Sequence, residues 1–434
     1  MDNINIHINE LGPIRDAQLD IRPLMIFTGE SGLGKSYLAF LSNYIFALLA
    51  KGSTRLTHFF DDIDFSTILD GKKSGDIIYS LPIKDLFEWI DRDAVNYVAY
   101  MIGNTSLTGS IHIEWPAIDE IDEYIDFSYS EVLSGLDNSE ELSYRIATRH
   151  FNYNSISDKK DATVYVFTTL IKAELFRAVF IERNLFSFQN IILPPSRGAL
   201  MEIQDTPVFR SGMYESFYTI KSDIARPVKQ QKDEDPILSK LLEKINEGTI
   251  TQNDNSYTYT TIFGVKLPLS AAASSIKEIA PLTMLLDKYE ISKMAILFEE
   301  PEAHLHPSRQ QFVADLIGYM VSNGCNMQVT THSDYFIKRI NALIKLYPII
   351  SQLPAEDGQE LLAKHGFNQE SLIDTANVIA YNLTRNDNGY TNVSQLKTDA
   401  EEGVPFDSFH KVITRYFDLL SDLNDIGNNT NDEE

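Results

Sequence analysis

Short apolar and alternating runs open the chain and lead into a glycine-rich turn. Residues 3–8 and 17–21 alternate apolar and polar positions, and residues 24–28 are continuously apolar. Alternation predicts half-buried strands; the continuous run predicts a strand buried on both faces. The period then changes: Leu38, Leu41, Ile45 and Leu48 recur every three or four residues, as on one face of a helix. Further strands are predicted over 110–115, 162–167, 188–193, 257–262, 293–298 and 327–331. Helices are predicted over 236–246, with Pro236 at the start, and over 274–289 and 309–321. Such strands and helices predict an α/β fold. After Leu346 the chain reads as an appendix, in which Phe409, Val412, Ile413, Tyr416, Phe417 and Leu420 line one helical face. From Asn424 it is polar and acidic, a composition that predicts disorder.

The turn after the third strand is Gly29-Glu30-Ser31-Gly32-Leu33-Gly34-Lys35-Ser36, which fits G-x-x-x-x-G-K-[ST]. Strand, glycine loop and helix are the context in which this pattern cradles phosphates. Glycines let successive N–H groups converge on one point, and the helix start ahead of Tyr37 adds its partial positive charge. Lys35 is placed to reach the outer phosphates and the Ser36 hydroxyl to meet Mg²⁺.

A second set of chemical residues lies far along the chain. The apolar run 294–298 ends in Glu299-Glu300. Paired carboxylates at a strand end suit a metal–nucleotide site: Glu299 for the metal, Glu300 for orienting and deprotonating the attacking water. His304 and His306 alternate beside Glu302, but zinc sites usually need three or four protein ligands and no cysteine or third histidine lies nearby. His332 follows the strand predicted over 327–331, where a histidine can contact a terminal phosphate.

Charge narrows the partners. The formal net charge is −25 over 434 residues, which argues against a surface that is basic overall and held on nucleic acid by phosphate contacts. Residues 61–141 carry nineteen acids against four bases, a solvated face or a surface for a basic partner. Lys221, Arg226, Lys229 and Lys232 could still form a local basic groove. Cys325 is the sole cysteine, the first residues do not read as a signal peptide, and no run of eighteen apolar residues occurs. The expectation is a cytoplasmic protein with no membrane segment.

With these motifs in place, the chain resembles the ABC-type ATPases of the overcoming-lysogenization-defect and SMC/RecF-like group. The resemblance rests on residues 8–20 ahead of the phosphate loop, on residues 298–307 as the Walker B and D-loop region, and on Thr330-Thr331-His332-Ser333 as the switch. It implies a P-loop ATPase head with a mixed β-sheet flanked by helices. The head would be divided into residues 1–50 and 255–345, around a mixed helical insertion over 51–254. A small helical extension would follow over 346–423, with a tail over 424–434. It implies ATP and Mg²⁺ as cofactors, with Gly29, Glu30, Ser31, Gly32, Leu33, Gly34, Lys35, Ser36 and Tyr37 around the nucleotide. Ser36 and Glu299 would hold the metal, and Glu300, His332 and Lys35 would carry the chemistry.

The resemblance also implies a homodimer in which a serine and helix start of one subunit close over the other's nucleotide. Ser274 and Ser275 fit that signature better than Ser270, although Ala272 and Ala273 stand where the glycine pair is usual. Arg197, after Pro194-Pro195-Ser196, is expected near the phosphates or at the insertion hinge, with Gln189 as the weaker candidate. The triplets Asp62-Ile63-Asp64, Asp91-Arg92-Asp93 and Asp233-Glu234-Asp235 read as solvated, and no Asp-x-Asp follows His332, as the nuclease domain of some relatives would need. Nor is there the long heptad hairpin of an SMC arm. The group's nuclease-free members imply a nucleotide-gated regulator of a separately encoded effector, a nuclease or toxin, in anti-phage defence. The alternatives are a DNA-repair ATPase that binds DNA directly and a nucleotide-gated scaffold with negligible turnover.

Overall fold

A computed structural model describes residues 4–115, 123–134, 141–156, 164–179, 188–203, 208, 210–226, 235–253, 256–401, 403–405, 414–415 and 417–421. The chain begins with β1 (Asn5–Leu11), β2 (Ile14–Asp20), β3 (Leu24–Gly29) and α1 (Lys35–Leu49). It continues through β4 (Ile77–Pro82), α2 (Ile83–Ile102), β5 (Gly109–Glu114), β6 (Tyr124–Ser134), β7 (Glu141–Ala147), β8 (Asn152–Ile156) and α3 (Val164–Val179). Next come β9 (Gln189–Leu193), α4 (Arg197–Glu202), α5 (Gly212–Ile224), α6 (Pro236–Asn246), β10 (Gly248–Asn253), β11 (Ser256–Thr261) and β12 (Lys266–Pro268). The last described elements are α7 (Ser274–Lys288), β13 (Met294–Glu299), α8 (Pro307–Ser322), β14 (Asn326–Thr330), α9 (Asp334–Gln352), α10 (Ala355–His365), β15 (Val378–Arg385) and β16 (Thr391–Leu396).

Nine strands form one mixed sheet in the order β5-β1-β2-β16-β15-β3-β14-β13-β9. Its core is parallel: β9, β13, β14, β3 and β15 all run the same way. The carboxyl ends of β3, β13 and β14, and the turn after β9, therefore meet at one edge, where open α/β sheets place their ligand sites. β3 and β13 are almost wholly apolar because both faces are covered. In β13, Ala295 and Leu297 face a core shared with α1 and α2, whereas Met294, Ile296 and Phe298 face a core shared with α7, α8 and α9. The sheet is thus packed on both sides, and the predicted α/β class with a mixed sheet flanked by helices is what the chain adopts.

Two segments differ from their sequence reading. Residues 162–167 read as a strand, yet Val164 opens α3. Phe167, Leu170, Ile171 and Leu175 are buried at helical spacing, and that stripe outweighs the β-preference of the branched residues at its start. Phe167 stacks within 4.6 Å of Phe65 and 4.8 Å of Phe127, so the stripe is held by aromatic contacts from residues distant in sequence. The stretch read as a helical C-terminal extension holds the end of α9 and α10, but it also supplies two strands. β15 lies directly beside β3, with Val378–Tyr381 buried, and β16 bridges it to β2. Its four-residue apolar run was too short to tell from buried helix by period alone. The helical face from Phe409 lies largely outside the described residues, as does the acidic tail.

Asp62 and Asp64 are exposed, as expected, but the other two acidic triplets need correction. Asp93 is buried and accepts from Arg55 Nε at 2.9 Å and Nη2 at 2.7 Å, and from the Tyr44 hydroxyl at 2.9 Å. Asp91 accepts from the Ile113 amide at 2.9 Å and meets His112 Nδ1 at 3.0 Å. Asp235 caps α6 by accepting from the amides of Ile237 and Leu238. These carboxylates are structural. Of the four bases in the suggested groove, Lys229 and Lys232 lie outside the described residues. Lys221 donates to the carbonyls of Leu200 and Ile203, and Arg226 pairs with Asp223 at 2.8 Å.

Asp93 sits where α2 meets α1 and the segment before β4, so its loss leaves a half-buried guanidinium without its carboxylate. Asp93→Ala is expected to destabilise the protein by about 3 kcal/mol, read as a lowered urea midpoint at unchanged slope. A midpoint equal to that of the parent protein would show that the pair is not part of the fold's stability.

Candidate nucleotide site

The loop after β3 is built by its glycines. Gly29, Gly32 and Gly34 have φ of 130°, 78° and 95°, backbone that side chains rarely adopt. At Gly29 a Cβ would lie 2.4 Å from the Leu383 carbonyl oxygen of β15. The late strand β15 is therefore one reason the loop must start with glycine. Glu30, Ser31 and Gly32 are exposed, Leu33 is buried beneath them, and Gly34 caps α1 in a left-handed conformation. Tyr37 is half-buried beside Gly12, whose Cβ would meet its ring, so it props the loop's base.

Lys35 folds back over this loop. Its ammonium donates to the Gly29 carbonyl at 3.1 Å and the Glu30 carbonyl at 2.8 Å. Burial lowers its pKa, opposed by the charges of Glu300, Glu299 and Glu302. The loop and the carboxylate pair, more than 260 residues apart in sequence, thus share one electrostatic environment.

Glu299 ends β13 and is buried; desolvation raises its pKa, while a hydrogen bond with the Ser36 side chain, Arg197 and Lys35 oppose the rise. Its Oε1 is a buried acceptor with no hydrogen-bond partner. A hard divalent cation is what would satisfy that oxygen, and the Ser36 hydroxyl stands at the same carboxylate. The donor set therefore fits Mg²⁺ with phosphate and water completing its shell. Glu300 follows with φ of 46°, uncommon for a residue with a side chain, and its amide donates to the Thr330 carbonyl at 3.0 Å. The bend turns its side chain away from the strand's direction at the shared edge, next to Lys35 and His332.

His332 sits just past β14. Burial and the Lys35 charge lower its pKa, with Glu300 opposing, so the ring is neutral at neutral pH. Its position depends on Glu302, to which the sequence reading gave no role in catalysis. Glu302 Oε1 accepts from the His332 amide at 2.7 Å and from the Thr331 hydroxyl at 2.9 Å. Ser333 then caps α9 by accepting from the Phe336 amide at 3.1 Å. The spacing of Glu302 three residues after Glu299 was visible, but its partner on another strand was not.

Arg197 is not at the phosphates. It is 0% exposed, and its guanidinium donates to the carbonyls of Glu278 (2.9 Å), Pro194 (2.9 Å), Glu299 (2.8 Å) and Glu300 (3.3 Å). It also lies over the Phe298 ring at 4.5 Å. Burial lowers its pKa to about 10, which leaves it charged at neutral pH. Arg197 is a strut behind the site, joining β13, α7 and the turn after β9. Gln189 starts β9, paired with Met294, at the sheet edge opposite the loop. Neither residue reaches a nucleotide directly.

At the start of α7, Ser274 is exposed and Ser275 half-buried. The Ser275 hydroxyl accepts from Arg309 at 3.0 Å. Ser270 is exposed on the turn before it. No side chain caps α7, and Ser274 stands exposed at its first position. Of the three serines, Ser274 is the one at the helix start whose hydroxyl is not engaged by Arg309.

Residues 213–337 match the family model described as AAA ATPase domain, a stretch holding Ser274, Glu299, Glu300 and His332 but not the loop at Gly29. It covers less than half of the chain. No curated protein matches. Among solved structures, an SMC head bound to the C-terminal winged-helix domain of ScpA is 12% identical, covering 91% of this chain and 97% of that chain at a TM-score of 0.39. The SMC head domain from Thermotoga maritima is 9% identical, covering 92% and 100% at 0.35. An SMC head domain with an extended coiled coil, bound to the C-terminal domain of ScpA and derived from Pyrococcus furiosus, is 10% identical, covering 97% and 98% at 0.39. Superpositions this loose carry no functional inference. The AAA ATPase domain match and the built phosphate loop together are similar to those of nucleotide-hydrolysing P-loop proteins.

Proposed function

We propose that this protein binds and hydrolyses ATP as a head-to-head homodimer. The observation that carries the reading is the meeting of Lys35, Ser36, Glu299, Glu300 and His332 at one edge of the parallel sheet, from three strands. The phosphate loop holds the β- and γ-phosphates through its amides and Lys35. Ser36 and Glu299 would hold Mg²⁺, which when bound neutralises phosphate charge. Glu300 orients a water in line with the γ-phosphorus and takes its proton as the new P–O bond forms and the bond to the β–γ bridging oxygen breaks. Lys35 stabilises the charge that develops on the leaving side. His332 contacts the γ-phosphate, so β14 registers whether that group is present.

The start of α7 lies open to a second subunit, with the exposed Ile262, Phe263 and Val265 on the preceding turn adding apolar surface to that face. We propose that Ser274 and the α7 amides of one subunit close over the nucleotide of the other, with Ser275 and Ser270 flanking it. The dimer would then open and close with turnover. The partner gated by this motion is, in our reading, a separately encoded effector of the nuclease or toxin class in anti-phage defence. It is supported by the resemblance alone. Co-purification with the products of neighbouring genes tests it; a protein that retains none of them overturns the effector role while leaving the ATPase reading intact. Among the described residues, no helix is long and apolar enough to cross a membrane.

Glu300→Gln is expected to keep ATP binding, lower phosphate release by about a hundredfold or more, and trap an ATP-dependent dimer in sedimentation. Equal turnover in both proteins would remove Glu300 as the base. The shared site makes a second prediction. Lys35→Ala and Ser274→Glu should each be inactive alone. Mixed in equal amounts, they should regain about a quarter of normal turnover, since half the random dimers carry one intact site of two. A mixture as inactive as its components would show that the site is not shared between subunits.

A further inference from the structure

The first turn of α8 reaches two parts of the nucleotide site through neighbouring residues. His306 caps this turn by accepting from the Ser308 amide, and its carbonyl accepts from the Arg309 amide at 2.8 Å. Gln310 serves the segment that carries His332. Its side-chain oxygen accepts from the Ser333 hydroxyl, and its Nε2 donates to the Leu305 carbonyl at 3.0 Å. Arg309 instead reaches the start of α7, where its Nη1 donates to the Ser275 hydroxyl at 3.0 Å.

Arg309 is anchored before it meets that serine. Its guanidinium forks onto the Glu247 carboxylate, Nε donating to one oxygen at 3.2 Å and Nη2 to the other. Glu247 is itself held in place. It closes α6 in a left-handed conformation with φ of 47°, and its carbonyl accepts from the Tyr259 hydroxyl at 3.0 Å and from the Ile262 amide at 3.2 Å. A planar guanidinium fixed at two nitrogens can aim its third in one direction only. The Arg309 side chain is 17% exposed, so water competes little for these bonds. The donor sets where the Ser275 oxygen sits and leaves that hydroxyl's hydrogen for another acceptor. Because α7 has no side-chain cap of its own, this bond from a neighbouring helix braces its first turn, and with it the exposed Ser274.

We propose that Arg309 is a positioning residue for the partner subunit's nucleotide: anchored on Glu247, it holds the first turn of α7 in the shape that closes over the other subunit's γ-phosphate. The proposal rests on the shared-site reading above. It assigns Arg309 to the half of the site that acts across the interface, although the carboxylates of its own subunit's site lie close before it in the chain.

Arg309→Ala is expected to leave ATP affinity within about twofold of normal and to lower turnover about tenfold or more, because the phosphate loop of the same chain is untouched. Arg309→Lys keeps the charge without the fork and should be impaired alike. Glu247→Gln weakens the anchor without changing Arg309 and should lower turnover in the same direction by less. Thermal melting of each variant separates this loss from loss of fold. Mixed dimers read the assignment. Arg309→Ala with Lys35→Ala should regain about a quarter of normal turnover, since half the random dimers carry one intact site of two. Arg309→Ala with Ser274→Glu should regain none, since both changes fall on the same half. Normal turnover in Arg309→Ala overturns the proposal, and normal turnover in Arg309→Lys overturns the part played by the fork. A mixture with Lys35→Ala no more active than its components also overturns it, provided that Lys35→Ala with Ser274→Glu does regain activity. If that reference pair stays inactive too, the shared site itself fails and this proposal falls with it.

Discussion

One buried guanidinium decides how the carboxylates of the site are presented. Arg197 collects the carbonyls of Glu299 and Glu300 from behind β13, and those of Glu278 and Pro194 from α7 and the turn after β9. With their carbonyls held inward, Glu299 and the bent Glu300 are presented at the sheet edge with little freedom to turn. The charge is tolerable in the interior because four carbonyl oxygens and the nearby carboxylates of Glu278, Glu302, Glu300 and Glu299 oppose its desolvation. The same donors attach α7, whose first turn carries Ser274, to the strand that carries the carboxylates. In the proposed dimer, the part of the site that would face a partner subunit and the part that would face this subunit's own nucleotide are thereby set on one connection.

The phosphate loop depends on a different neighbour. β15 runs against β3 with Leu383 opposite Gly29, and its carbonyl occupies the space a side chain would need there. A strand formed near the end of the chain thus fixes the entrance of a loop formed near its beginning. β14 closes the other flank of β3, which puts His332 beside Lys35. The loop is held between two parallel strands whose connections are more than 290 residues long, so its geometry is a product of the whole sheet.

What the sequence disclosed about the site follows from the range of each interaction. The loop from Gly29 to Ser36 and the pair Glu299-Glu300 are local patterns, in which strand, turn and chemistry are adjacent in the chain, and they were legible as such. Arg197 is expected near the phosphates or at the insertion hinge because its turn follows a strand at the right position. Its actual partners lie 81, 102 and 103 residues away, and no spacing rule reports them. Glu302 was hidden for the same reason, since its role comes from two donors on the far side of β14. Asp91 and Asp93 read as solvated because acids surround them in the chain; Arg55 and Tyr44 hold the buried Asp93, and the β5 backbone holds the half-buried Asp91. The strand β15 was missed because four apolar residues suit a strand or a buried helix equally, and only pairing with β3 decides.

The same long-range pairing links the site to the elements inserted between α1 and β9. Asn43 of α1 donates to Gln328 of β14 at 3.1 Å and to Asn190 of β9 at 2.9 Å, and accepts from Tyr97 of α2 at 2.8 Å. One residue further, the Tyr44 hydroxyl reaches Asp93 of α2 and through it Arg55. These groups are buried among apolar side chains, where an unmade hydrogen bond costs about 1–3 kcal/mol. Gln328 precedes His332 by four residues on the strand that would register the γ-phosphate. A displacement of β14 large enough to break the bond to Asn43 would leave buried amides unpaired. It is therefore cheaper for α1 and α2 to follow the strand, so that a displacement of β14 would be carried to α1 and α2 through polar contacts that the interior does not allow to be broken singly.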